Sequence, residues 1–207
     1  MSHKGYGLEH ELEAYFLKLT GQTIQDPIMD GNGNIKRTFR VPSSGAMASF
    51  KGDVRTAVPW LPKQFLVEAK HRREKSKKGS KTTPVYRLDM RLVNKNNSEA
   101  DQVGLVPIFV FAFKGSPTNR IQVIFREYDY IFFLSHLNLV DCKLPEILNG
   151  LPMKTNKKSF LINKKALDDI HGHPVLFPHD EARYVLMPLA LLGLIIEGLK
   201  RGNNAVR

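Results

Sequence analysis

Apolar residues recur along this chain with two different periods, and the places where the period changes outline its elements. From 6 to 20 the period is helical. Leu8, Leu12, Tyr15, Phe16 and Leu19 form one stripe, which predicts an amphipathic helix closed by Gly21. Glu9 flanks that stripe on the Phe16 side and Glu11 on the other. Either acid can reach the edge of a buried site, and periodicity leaves both open. Residues 22–41 read as two short strands around the turn-rich tip Asp30-Gly31-Asn32-Gly33-Asn34. A calcium loop does not fit there. Counted from Asp26, Ile28 falls where an oxygen ligand is needed, and counted from Asp30, Ile35 falls where the glycine is needed.

The period then changes to two. Strands are predicted over 53–58 and 64–70, joined through Pro59-Trp60-Leu61-Pro62. In Phe65-Leu66-Val67-Glu68-Ala69-Lys70, alternation puts Phe65, Val67 and Ala69 toward a core. Glu68 and Lys70 share the other face, about 6–7 Å apart along the strand. A helix is predicted within 85–104, with Tyr86, Leu88, Leu92 and Val93 as its apolar residues and Gln102 near its end as a candidate to face a site. Residues 105–113 are continuously apolar, as in a strand buried on both faces of a central sheet, and Ile121–Phe125 returns beside it. Residues 127–139 suit a short helix or strand. The most apolar helix is predicted over 180–201, interrupted near Pro188. It is too short and broken for a membrane span and is expected to pack on the core or against a second subunit.

Composition narrows the class of protein. The chain has 207 residues, 42% hydrophobic and 25% charged, enough for one well-buried core. Its 31 Lys+Arg against 20 Asp+Glu give a net charge of +11 and favour a polyanionic partner, nucleic acid before anionic membrane. The single cysteine, Cys142, excludes an internal disulfide and suits a reducing compartment such as a cytoplasm. The N-terminus, Met-Ser-His-Lys-Gly, lacks the apolar run of a secretory signal.

Candidate chemistry gathers at the paired strands. A small-residue loop from Arg40 to Lys51, containing Ser43, Ser44 and Gly45, delivers Asp53 to the start of a strand. If that strand runs antiparallel to 64–70, Asp53 and Glu68 converge at one sheet edge, an oxygen-rich site suited to Mg²⁺. An acid-x-Lys triplet alone is weak, since the chain carries a second one, Asp141-Cys142-Lys143. Residues 71–81 hold six Lys+Arg and one acid, a run suited to a DNA backbone. His171, His173, His179 and Asp180 raise zinc, but no cysteine supports it and Pro174 and Pro178 argue for an irregular loop.

Taken in order, these features resemble the PD-(D/E)xK nuclease superfamily, and within it the archaeal-type Holliday junction resolvases, which also occur in phages. Lys4-Gly5-Tyr6-Gly7-Leu8-Glu9 is similar to the family's Lys-Gly pair before a helix glutamate, which selects Glu9 over Glu11. Arg40 to Asp53 is similar to its Ser/Gly loop and aspartate, and Glu68-Ala69-Lys70 to its Glu-x-Lys strand. The similarity covers 1–70, and 85–125 in its order of elements. Gly52 replaces the proline of the motif's name, the 22–39 hairpin is long, and residues from 131 on have no counterpart.

The resemblance implies an α/β, restriction-endonuclease-like core with a central mixed sheet in αβββαβ order and a helical C-terminal extension. The core is expected over 1–130, and 131–207 as a basic, then apolar-helical, extension that makes a dimer contact. The implied activity is Mg²⁺-dependent hydrolysis of DNA phosphodiesters, with Mn²⁺ able to substitute, by a homodimeric junction resolvase. It implies Glu9, Asp53, Glu68 and Lys70 as catalytic residues, with metal held by Glu9, Asp53, Glu68 and the Ala69 carbonyl. Candidate DNA contacts are Lys4, Arg40, Ser43, Ser44, Lys51, Arg72 and Arg73. The alternatives are a general, flap, restriction or repair endonuclease of the same fold, and a DNA-binding protein without activity. No membrane partner is expected, and the location is cytoplasmic, the host's if the source is viral.

Overall fold

The computed structural model describes residues 6–42, 51–72, 85–113, 121–137, 148–149, 154–156, 159–169 and 172–205. Helix α1 (Tyr6–Thr20) opens the chain. Strands β1 (Phe39–Arg40), β2 (Val54–Arg55) and β3 (Phe65–Arg72) follow. Strand β4 (Val85–Asp89) leads into α2 (Met90–Gln102), then β5 (Val106–Phe113), β6 (Gln122–Arg126) and α3 (Glu127–Ser135). The later elements are β7 (Leu148–Asn149), β8 (Lys154–Asn156), β9 (Ser159–Asn163), α4 (Lys164–Asp169), β10 (Val175–His179), β11 (Ala182–Pro188) and α5 (Leu189–Ala205).

Among the described residues one sheet runs β1-β2-β3-β5-β6-β11-β10-β7, and a smaller one runs β4-β9-β8. β1, β2 and β3 are antiparallel, β3 and β5 are parallel, and β6 is antiparallel to β5. This is the expected mixed α/β sheet with α2 in the crossover. Alternation along the strands sends the two faces into separate cores. Val106, Ile108, Val110 and Ala112 pack with Leu8, Leu12 and Phe16 of α1, Tyr130 and Phe133 of α3, and Leu192 and Ile196 of α5. Phe109, Phe111 and Phe113 pack with Val93 of α2, Tyr86 and Leu88 of β4, and Phe160 and Ile162 of β9. All eight residues of β5 are buried, as the unbroken apolar run predicts.

Three expectations are corrected. Tyr86 and Leu88 belong to a strand, not a helix. They are buried two residues apart with exposed Arg87 between them, which is period two. The helix expected over 180–201 is β11 followed by α5, and Pro188 is the last strand residue rather than a kink within a helix. The segment from 131 on is more than a helical extension. β11 pairs with β6 along Tyr184–Pro188, so the central sheet runs across the division expected at 130.

The tip at 30–34 is a turn, bracketed by the bridge Met29–Ile35. Asp30 Oδ1 accepts from the backbone of Asn32 and Asn34 at 3.0 and 2.9 Å, and Lys36 lies 3.3 Å from Oδ2. Its carboxylate is therefore engaged by the loop's own donors.

Candidate active site

β2 pairs with β3 through Val54–Val67 and Arg55–Leu66 only. Beyond Arg55 one backbone bond, from Thr56 N to Phe65 O at 3.3 Å, continues the pairing, and side chains take over from it. Thr56 Oγ1 accepts from Phe65 N at 2.7 Å, and Gln64 Oε1 accepts from Val58 N at 2.7 Å. At the other end Gly52 holds φ +76, and a Cβ there would stand 2.8 Å from Leu66 Cδ1 and 3.1 Å from the Val67 carbonyl. A proline cannot take that φ, which gives the departure from the motif's name a physical reason. The glycine lets Asp53 N donate to Val67 O at 2.7 Å and brings the Asp53 side chain alongside β3.

Asp53 is buried, and its Oδ2 accepts from Ala69 N at 2.8 Å and from Lys70 Nζ at 3.3 Å. Lys70 Nζ also lies 2.5 Å from Glu68 Oε1. One ammonium thus bridges two carboxylates. Val67 and Ala69 lie in the core beneath, as alternation requires.

The charge balance is tight. Burial, then the Asp53 carboxylate, push the Glu68 carboxyl above its ordinary range, against the pull of Lys70 and Lys95. Burial alone would lower the Lys70 pKa, but Glu68 and Asp53 outweigh it and raise it. Lys70 is therefore a resident cation, not a neutral base.

Glu9 is half-buried on α1. Burial, then Asp53, raise its pKa, while Arg40 and Lys70 oppose the rise. Its charge is thus felt within the same group. Glu11 is exposed, so the structure separates the two acids that periodicity left open.

Arg40 lies on β1 opposite Val54, and Lys51 is half-buried just before Gly52. Arg72 closes β3 opposite Phe113. Lys4, Ser43, Ser44, Arg73 and the Asp141-Cys142-Lys143 triplet lie outside the described residues. Of the expected DNA contacts among the described residues, Arg40 is the one placed beside the acids by the interactions above. Gln102 does not join them. It lines a groove on α2 with Asn94, Asn97, Ser98 and Asp101. His173 is exposed and His179 pairs with Asp180 at 3.4 Å. Among the described residues no three His, Cys, Asp or Glu side chains form a metal cage, at either place.

Two contributors were not found from sequence. Glu13, one turn after Glu9, is buried. It accepts from Arg40 N at 3.3 Å and lies 3.5 Å from Arg37 Nη1, tying α1 to β1 beside the site. Its spacing of four from Glu9 was the available signal. Lys95 acts on Glu68 from α2, and only the β3–α2 packing reveals that.

No protein-family model matches the chain, and no curated protein matches its sequence. Among solved structures the chain is similar to Hjc of Archaeoglobus fulgidus, a Holliday junction resolvase from an archaeal hyperthermophile. The TM-score is 0.39 at 11% identity, over 76% of this chain and 88% of that one.

Proposed function

We propose that this protein is a divalent-metal-dependent DNA endonuclease, and specifically a structure-selective Holliday junction resolvase acting as a homodimer. One observation carries the nuclease reading: Asp53, Glu68 and Lys70 meet at the end of β2, with Glu9 and Arg40 in electrostatic contact. A buried carboxylate, Asp53, and a half-buried one, Glu68, beside a lysine are costly to fold, and burial raises Glu68 despite its ion pair. The net charge of +11 supports a nucleic-acid substrate.

The donor set is all oxygen, as Mg²⁺ requires. Asp53, Glu68, Glu9 and the Ala69 carbonyl would hold the ion, which when bound polarises the scissile phosphate and acidifies an attacking water. Asp53 is already oriented by the Ala69 N–H. Lys70, protonated in this setting, exchanges its carboxylate partners for a phosphoryl oxygen and stabilises the charge that develops there. Arg40 and Lys51 contact the DNA backbone on the approach, joined by Lys4, Ser43, Ser44, Arg72 and Arg73. Such contacts recognise shape and charge rather than sequence.

The test is cleavage of a labelled four-way junction beside linear duplex of the same arms, with Mg²⁺, with EDTA, and with Glu68→Ala. Paired symmetric nicks in the junction alone, lost in both controls, are expected. Equal cutting of every substrate would move the function to a general endonuclease of the same fold. Tight binding without cutting would leave a DNA-binding protein.

A further inference from the structure

We propose that the outer face of α2 is a second nucleic-acid contact, which grips the strand leaving the carboxylate group through amide and hydroxyl hydrogen bonds rather than through charge. It rests on the nuclease reading above.

Four observations lead there. First, α2 covers the face of the sheet onto which Glu68 and Lys70 project. Alternation along β3 sends Val67 and Ala69 to the opposite face, and Asn96 pins the helix by donating to Ile108 O at 3.1 Å. Second, Lys95 joins the two places. It is exposed, pairs with Glu99 at 3.6 Å, and is close enough to Glu68 to oppose the burial-driven rise of that carboxyl.

Third, a groove of about 600 Å³ follows along the helix, lined by Asn94, Asn97, Ser98, Asp101 and Gln102. Lys95 and Gln102 are seven residues apart, hence on one line of the helix and about 10 Å apart. The lining has amides, a hydroxyl and a carboxylate but no apolar side chain. A protein partner's interface core is built around apolar and aromatic residues, whereas these groups suit sugar, phosphate and base edges.

Fourth, the groove is preorganised. The buried Tyr184 hydroxyl donates to Asn94 Oδ1 at 3.1 Å and accepts from Asn97 Nδ2 at 3.3 Å. These bonds use the Asn94 carbonyl and the Asn97 amino group, which turns the Asn94 amino group and the Asn97 carbonyl away from Tyr184. Asp101, the carboxylate in this lining, is capped by Arg126, whose Nη1 lies 2.8 Å from both of its oxygens. Arg126 is itself held by Asp129 at 2.5 Å.

The test is equilibrium binding of a labelled duplex and a labelled four-way junction across a salt series, in EDTA so that cleavage does not intervene. Ser98 and Gln102 are exposed, so Ser98→Ala/Gln102→Ala leaves the fold in place. That variant is expected to bind about five- to fiftyfold more weakly, the loss of two hydrogen bonds, with the wild-type salt dependence. Lys95→Ala is expected to lower the slope of log affinity against log salt by about one. Ser98→Glu/Gln102→Glu places charge in the path and should weaken binding further. Binding by both Ser98/Gln102 variants within twofold of wild type would overturn the inference and leave the nuclease reading intact. A wild-type chain that neither binds nor cuts DNA would instead remove the reading beneath it.

Discussion

Glu68 holds the sharpest conflict between folding and chemistry in this protein. Its carboxyl is raised by burial and by Asp53, so the folded state binds its proton more tightly than the unfolded chain does. For a raised acid the linkage runs opposite to the usual salt-bridged carboxylate. The ionised group opposes folding above its folded pKa, and that cost disappears as pH falls below the unfolded value, near 4.5. Glu68→Gln is therefore expected to raise the thermal midpoint of the metal-free protein at pH 7–8 while abolishing cleavage. A lowered midpoint would mean that the Lys70 ion pair outweighs burial. In the wild type, Mg²⁺-supported cleavage is expected to decline at a higher pH than an ordinary glutamate would give, because Glu9 and Glu68 are both raised. A pH profile flat down to 4.5 would contradict that. Gly52→Ala tests the approach of Asp53. The new methyl meets Leu66 at 2.8 Å at φ +76, so a destabilisation of about 1–3 kcal/mol in urea unfolding is expected.

At the scale of elements, α5 is seated by α1 and by the turn after β2. Tyr15 Oη donates to Leu189 O at 3.1 Å, and Trp60 Nε1 donates to Ile196 O at 2.9 Å. Burial and Glu197 push the Tyr15 hydroxyl up to about 12, so it stays a neutral donor at any working pH. Gly193 makes room for it, since a Cβ there would stand 1.9 Å from Tyr15 Oη. Gly193→Ala should cost about 2–4 kcal/mol despite alanine's better helix propensity. Adding Tyr15→Phe removes the clashing oxygen, so the double variant should unfold at higher denaturant than Gly193→Ala alone. Additive losses in that double-mutant cycle would refute the contact. The pattern of what sequence revealed follows from the same physics. α1, β3 and β5 are legible because local periodicity and alternation determine them, and alternation also puts Glu68 and Lys70 on one face, whereas the approach of Asp53 depends on β2 pairing antiparallel with β3. β11 is not legible, because its buried stretch Tyr184–Met187 runs into an apolar helix with no change of polarity at Pro188 to mark the join. Tyr86 and Leu88 carry period two, but the strand they form runs directly into α2 at Met90, so the two periods merge. Glu13 carries only the weak signal of its spacing from Glu9, and Lys95 carries none, since its meaning lies in which strand it faces.

At the scale of the whole molecule, the question is whether the first 130 residues contain the site by themselves. The motif positions all lie there, yet the sheet that holds them does not end there. β3 is supported by β5, β5 by β6, and β6 by β11. Removing the chain after α3 exposes the ladder of β6 and strips α5 from one core. Leu189, Leu192, Ile195, Ile196 and Leu199 are all buried in that core. At about 1.5–3 kcal/mol for each side chain, even a discounted sum is about 10 kcal/mol, comparable with the whole stability of a typical domain, about 5–15 kcal/mol. The fragment 1–137 is therefore expected to lack a cooperative urea transition and near-ultraviolet circular dichroism, and to lose junction cleavage with them. Were it instead to unfold cooperatively and retain cleavage, the C-terminal segment would be an appended unit and β11 a dispensable strand. The first outcome makes residues 131–207 part of the scaffold on which the carboxylates stand, so a dimer contact built from α5 would couple assembly directly to the integrity of the site.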